Sequence, residues 1–315
     1  VKLVTFSAPH ALHDSVGVLR GEEVVDLPAT ARALGQSLPD SMLGLLSASG
    51  GDARAVAQLL ERADRSGAAR TVPLATVTLR APIPRPGKIV GVGLNYVEHV
   101  AESHRTLDTD ADLPPRPVLF DKPTTAVVGP DCEIRHDGTL TAQLDWEVEL
   151  AVVIGRHAYR VAAEDAFDYV FGYSIVNDIS ARDQRRSGQW FFSKGQDSYA
   201  PLGPVLVTAD EIADPQDLDL RLRVNGVTKQ DSNTRHMLFK IPELIADITS
   251  GVTLEPGDVI ATGSPSGVGA GHRPPHFLQP GDVVEAEVDG IGVLRNRVVD
   301  AAREPLAAVA EVASA

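Results

Sequence analysis

A single cysteine, Cys132, stands in 315 residues, so the chain can build neither an internal disulfide framework nor a cysteine-based zinc knuckle. No stretch approaches the roughly 18 uninterrupted apolar residues that a membrane-spanning helix needs. The opening run, VKLVTFSAPHALHDS, has no apolar core or cleavage box of a secretory signal, and a cytoplasmic location is expected. Basic residues are in deficit: 29 Lys and Arg face 43 Asp and Glu, a formal charge of −14. Phosphate backbones and anionic membrane surfaces repel such a chain, so neither nucleic acid nor membrane is expected as a partner. The densest basic cluster, Arg182/Arg185/Arg186, lies among acids. Aromatics are only 5%, yet a hydrophobic share of 43% suffices for a large core in one big domain or two smaller ones.

What the chain does have is turns. Its 27 glycines and 22 prolines exceed the usual combined share of roughly 12%, and many turns imply many strands. Residues 1–80 read as a small α/β domain, with strands at Lys2–Ser7 and Gly17–Leu27, the second broken by the charged turn at 20–23. Val56, Leu59, Leu60 and Ala63 recur at helical spacing, with Asp52 as expected N-cap and Gly67 as stop. The proline-punctuated segment 81–87 cannot be helix or central strand and marks a boundary. A catalytic domain is expected over residues 85–300, and an Ala-rich tail, read as a loose helix, over 301–315.

In that larger region β-rich runs dominate: 88–93, 144–155, 169–178, 204–208, 218–224, 259–262 and 283–288. The pair Asn225-Gly226 signals a tight hairpin, and the Pro-Gly-Asp turns at 256–258 and 280–282 each launch a strand. Helical candidates are few: 95–103, 162–168 and 241–249. The expected class is α+β, mostly β, with short helices laid on sheets.

The most informative string is Leu144-Asp-Trp-Glu147-Val-Glu149-Leu150. Side chains alternate along a strand, so Glu147 and Glu149 share one face, roughly 7 Å apart, in an otherwise apolar run. The strand ending at Asn177-Asp178 supplies a third carboxylate. Three hard oxygen ligands without Cys or His describe a Mg²⁺ or Mn²⁺ site rather than zinc, and three protein ligands leave positions open for a chelating substrate. Alternation alone favours instead an exposed strand face whose glutamates pair with Arg or Lys. Competing motifs fail: Gly91-Val-Gly93 lacks a third glycine, and Gly263-Ser-Pro-Ser-Gly267 centres on Pro265, so it is no nucleophile elbow.

Four further strings accompany the acidic one: Gly91–Glu102, Asp178–Asp183, Gln189–Asp197 and Gly257–Gly269. In this order the five together resemble the fumarylacetoacetate hydrolase family, metal-dependent enzymes of 1,3-dicarbonyl and 2-oxo acids, over nearly all of residues 85–298. The resemblance implies a mixed β-roll or barrel-like domain and a homodimer. It makes Glu147, Glu149 and Asp178 the ligands of Mg²⁺ or Mn²⁺, and Lys194 the group that holds a substrate oxygen. His99 and Glu102 become a dyad that activates water or moves a proton, Arg182 a brace for the carboxylates, and Thr262 and Gly263 the receivers of the substrate's carboxylate. Physical chemistry agrees: a 2-oxo or 1,3-diketo acid binds a cation through two oxygens, and a histidine oriented by an acid three residues on can shuttle its proton.

Two positions depart from the family pattern. Val92 replaces a fourth carboxylate found in some members, and Arg185 stands where hydrolases often carry glutamine. An arginine there would grip an extra carboxylate of a diacid. The expected activity is hydrolysis of the C–C bond of an acylpyruvate-type β-diketo acid, as in aromatic catabolism. The alternatives are decarboxylation of an oxaloacetate-like 2-oxo diacid and isomerisation of a 2-hydroxy-dienedioate; a non-catalytic binding protein is a third. His136, His157, His236, His272 and His276 are expected at the surface.

Overall fold

An unpaired strand edge is a template for association, so interior strands are paired on both sides. In the computed structural model the first strand, Lys2–Ser7, pairs with Ser15–Arg20 on one side and reaches far along the chain on the other, to Ala200–Thr208. The structure describes residues 1–9, 11–99, 102 and 113–301. Its large sheet runs Thr71–Pro73, Glu23–Asp26, Ser15–Arg20, Lys2–Ser7, Ala200–Thr208, Val170–Asn177, Val148–Ile154, Val259–Ala261, Ile89–Gly93, Val118–Lys122. The N-terminal strands are therefore hydrogen-bonded into the sheet that carries the acidic strand. A five-stranded sheet, in the order Val227–Asn233, Asp219–Val224, Val283–Val288, Gly292–Asp300, Glu133–His136, packs against the middle of the large one.

The two sheets make a layered, mixed α/β molecule. Neither closes on itself, because the end strands Thr71–Pro73 and Val118–Lys122 do not meet, and the barrel-like expectation is corrected to open sheets. Two cores follow from strand alternation. Leu150, Val152 and Ile154 face Leu220, Leu222, Val284 and Ala286 of the smaller sheet. Ala151 and Val153 belong to the opposite core, with Leu45, Leu46, Leu59 and Leu60 of the N-terminal helices. With both faces covered, Val148–Ile154 and Val170–Asn177 are buried at every position.

Turn chemistry is borne out. Asn225 and Gly226 take φ of 51° and 78°, joining Asp219–Val224 to Val227–Asn233. The expected helix spans Arg54–Ser66 and Gly67 ends it at φ 66°, but its N-cap is Ala53 rather than Asp52, which sits one position earlier and accepts from the Arg54 N–H. Ile241–Thr249 is helical as expected, its first turn closed by Glu243 accepting from the Lys240 N–H. The 162–168 candidate winds more tightly, as a 3₁₀ helix over Ala163–Tyr169. Residues 97–99 and 102 are helical, the rest of 100–103 lying outside the described residues, as does the tail beyond 301. Among the described residues no helix is long and apolar enough to cross a membrane.

Candidate metal centre and active site

The expected continuous strand 144–155 is interrupted: Leu144–Asp145 pairs with Ser180–Ala181, and the ladder resumes only at Val148. Glu147 occupies the break, where its N–H donates to Asn177 Oδ1 (3.0 Å) and its carbonyl accepts from the Asp178 N–H (2.8 Å). Those two bonds bring the third carboxylate beside the first. Glu149, two residues on, accepts from the Gly263 N–H at 2.8 Å. Gly263 has φ 98°, left-handed backbone that favours glycine, and there a side chain would also overlap Asn95. One oxygen from each of Glu147, Glu149 and Asp178 lies within 4.8 Å of the other two. All three side chains are buried, which removes the exposed-face alternative.

Buried carboxylates need positive charge. Lys194, from the short helix Phe191–Lys194, donates Nζ to Glu147 Oε2 (2.7 Å), to Asp178 and to Ser180 Oγ (2.9 Å). Arg182 reaches Glu147 Oε1 at 2.6 Å and Asp145 Oδ2 at 2.8 Å, not the sequence neighbours Asp178 or Asp183. Burial alone would raise the Glu147 pKa, but Lys194, Arg182 and His99 outweigh it and hold the carboxyl below its ordinary range. Glu149 goes the other way: burial, then Asp178 and Glu147, push it well above. Glu149 is therefore a buried carboxylate short of a positive partner, and the all-oxygen donor set fits a divalent cation.

His99 is buried at the edge of this cluster, its Nδ1 3.3 Å from Glu102 Oε2 and its Nε2 3.9 Å from Glu147 Oε1. Glu102 also accepts from the Gly267 N–H at 3.1 and 3.2 Å. The cleft enclosing about 480 Å³, part of it open to solvent, is lined by His99, the three carboxylates, Arg182, Arg185, Lys194 and Ser264 among others. Thr262 and Gly263 are beside the cluster but do not line that cleft: the Thr262 hydroxyl donates to the Leu150 carbonyl at 2.8 Å, and the Gly263 N–H is taken by Glu149. Arg185 stacks over Trp190, 5.1 Å from the ring centroid, at the cleft wall.

The structure brings in residues that the motifs did not single out. Lys122 is fully buried and donates to Asp178 and to the Lys194 carbonyl. Its segment, Val-Leu-Phe-Asp-Lys, gave no local sign of that burial. Asp145, next to the glutamates in sequence, is equally buried. His136 corrects the surface expectation: it is buried, with Nε2 3.0 Å from the Thr141 carbonyl. The Gly91 and Gly93 positions also find their purpose, since a side chain on the first would overlap Phe120 and on the second Trp190. Those rings meet edge to face at 5.2 Å and flank Lys194. Gly93→Ala should therefore cost about 1–3 kcal/mol in urea unfolding, the usual range for overpacking, and alter Trp190 fluorescence. Gly138→Ala, which has open space around it, should change neither.

Residues 88–299 match the fumarylacetoacetate (FAA) hydrolase C-terminal family. The chain is 40% identical over 290 residues to the oxaloacetate tautomerase YisK of Bacillus subtilis, covering 89% of this chain and 94% of that one. Two solved structures are similar. The 5-carboxymethyl-2-hydroxymuconate delta-isomerase from Mycobacterium smegmatis has 34% identity and a TM-score of 0.72, covering 95% of this chain and 100% of that one. The maleylpyruvate hydrolase from Sphingobium sp. SYK-6, in complex with manganese(II) ion and pyruvate, has 32% identity and a TM-score of 0.76, covering 95% and 99%.

Proposed function

This chain belongs to the fumarylacetoacetate hydrolase family, and from that premise we propose that it is a divalent-metal-dependent enzyme that moves a proton on a short 2-oxo dicarboxylate, an enol–keto tautomerase of an oxaloacetate-type acid. The observation that carries this is the seat of His99, whose Nε2 lies 3.9 Å from Glu147 while Nδ1 meets Glu102. An imidazole so placed can take a proton from, or give one to, the carbon beside the carbonyl without splitting water. The relatives support the same chemistry, since one sharing 40% identity over most of both chains is an oxaloacetate tautomerase.

The division of labour follows from the side chains. A cation held by Glu147, Glu149 and Asp178, Mg²⁺ or Mn²⁺ by its oxygen donors, would polarise the 2-oxo group and stabilise charge developing on its oxygen. Lys194 Nζ, held by Glu147, Asp178 and Ser180 inside the cluster, would add positive charge beside that oxygen. Glu102 orients the imidazole through Nδ1. Arg185, laid over Trp190 at the cleft wall, receives the distal carboxylate, and Ser264 rather than Thr262 offers the hydroxyl that faces the substrate.

One observation favours a second reading. A carboxylate behind a histidine is also the arrangement that draws a proton from water, so His99 and Glu102 suit hydrolysis of an acylpyruvate C–C bond. There the water's oxygen adds to the acyl carbonyl, the C–C bond breaks, and the departing carbon is protonated. The assay separates the two. With Mn²⁺ present, enol oxaloacetate should lose its enol absorbance faster with enzyme than without, releasing no CO₂, while an acylpyruvate should yield no pyruvate. Acylpyruvate cleavage without faster tautomerisation would replace this proposal by the hydrolase, and CO₂ release would replace it by the decarboxylase. A homodimer belongs to the same reading, since Val118–Lys122 ends the large sheet with Leu119 exposed.

A further inference from the structure

The metal ligands and the proton-moving dyad come from distant parts of the chain, and one fully buried carboxylate touches the supports of both. Asp145 accepts four hydrogen bonds. Oδ1 takes the N–H of Trp146 (2.8 Å) and of Gly269 (2.6 Å); Oδ2 takes the N–H of Ala270 (3.0 Å) and Nε of Arg182 (2.8 Å). A carboxylate has about four acceptor sites, so this one is filled, entirely by donors.

Each partner leads to one half of the site. Arg182 also donates Nη2 to Glu147 Oε1 at 2.6 Å. Gly269 and Ala270 lie in the loop whose Gly267 N–H donates to Glu102 and whose Gly271 leaves room for it, because a methyl on Gly271 would overlap the Glu102 carboxylate. Glu102 in turn meets His99. An unbroken line of contacts thus runs from Glu147 through Arg182, Asp145 and the 267–271 loop to Glu102 and His99.

We propose that Asp145 is a positioning residue shared by both halves of the site: through Arg182 it sets the Glu147 carboxylate toward the metal, and through Gly269 and Ala270 it sets the seat of Glu102. The inference rests on the metal and His99 roles proposed above, but its deciding measurements, Mn²⁺ affinity and amide exchange, need no substrate, so the two can fail separately. The geometry asks for an acceptor at all four positions. Asparagine keeps one accepting oxygen and turns an NH₂ toward donors, whereas removing Arg182 or filling Gly271 breaks one branch alone.

The experiment measures Mn²⁺ affinity by the paramagnetic signal of free ion, and amide hydrogen exchange along the whole chain. Asp145→Asn should weaken Mn²⁺ binding about tenfold, the size expected when a ligand's supporting partner is lost, and should speed exchange at Gly269 and Ala270 by a similar factor, leaving Val170–Asn177 unchanged. Arg182→Gln should weaken Mn²⁺ without freeing those amides. Gly271→Ala should leave Mn²⁺ affinity within about twofold and lower turnover, since it touches only the Glu102 seat. Wild-type Mn²⁺ affinity in Asp145→Asn, or loop amides that stay protected, would overturn the shared role. Should Asp145→Asn fail to fold, the unmodified enzyme decides. Coupling is reciprocal, so Mn²⁺ should slow exchange at Gly269 and Ala270 more than in Asp219–Val224, a strand that carries no ligand; equal slowing would overturn the proposal.

Discussion

Glu149→Gln should abolish metal binding while making the ion-free protein more stable at neutral and alkaline pH. The two signs come from one cause. Burial, with Asp178 and Glu147 nearby, pushes the Glu149 carboxyl well above its ordinary range. In the unfolded chain that group ionises normally, so the folded ion-free state holds a proton that the unfolded state has released. Its stability is then full below the unfolded pKa and is lost as pH rises toward the folded one, by up to about 1.4 kcal/mol per pH unit. Glutamine keeps an oxygen for the Gly263 N–H and carries no charge, so the loss disappears. Losing a mere supporting partner costs about 10–100-fold in metal affinity, and losing a ligand should cost more than about 100-fold. Calorimetric melts from pH 5 to 8, with and without Mn²⁺, check both. The wild type should lose stability with pH when ion-free and regain it with Mn²⁺, by roughly 2.7 kcal/mol at a hundredfold excess over Kd. The variant should be flatter and indifferent to Mn²⁺. A variant that still binds Mn²⁺ to within tenfold of wild type would remove Glu149 from the ligand set.

His99→Ala is the second large effect, and its profile is the complement. The imidazole approaches Glu147 no closer than 3.9 Å and donates nothing to Glu149 or Asp178 in the described structure, so Mn²⁺ affinity should stay near wild type. Turnover should fall by about 10²–10⁴, the contribution of a positioned general acid–base. Added imidazole should restore part of it, because the vacated space beside Glu102 is the size of the lost ring. Stopped-flow decay of enol oxaloacetate, with metal affinity measured on the same sample, gives both numbers. Full turnover with intact metal binding would take the proton transfer away from His99.

The acidic trio was legible in the sequence because its chemistry is local: alternation puts Glu147 and Glu149 on one face, and a neighbouring strand ends at Asp178. The pairing of His99 with Glu102 came from the family resemblance, with which their three-residue spacing on a helix agrees; spacing alone would not have singled out that histidine. Arg182 was legible as a brace, but its partners were not, since Asp145 and Glu147 reach it only through the pairing of Leu144–Asp145 with Ser180–Ala181. Lys122 escaped notice altogether; its partner lies 56 positions away, and nothing local marks a buried lysine. The Gly91/Gly93 pair looked like a failed nucleotide fingerprint, whereas its purpose is the space that Phe120 and Trp190 occupy. Closure of the sheets could not be read either, because it depends on whether end strands from opposite ends of the order meet.

The pairing of Lys2–Ser7 with Ala200–Thr208 carries a consequence for how the enzyme fails. Only Val170–Asn177 separates Ala200–Thr208 from the glutamate strand, so the proline-rich seam at 81–87 is crossed by the ladder itself. Heat or denaturant is expected to melt the amino-terminal eighty residues and the catalytic floor as a single cooperative body, and damage at the far amino end then registers as lost turnover rather than as a frayed appendage.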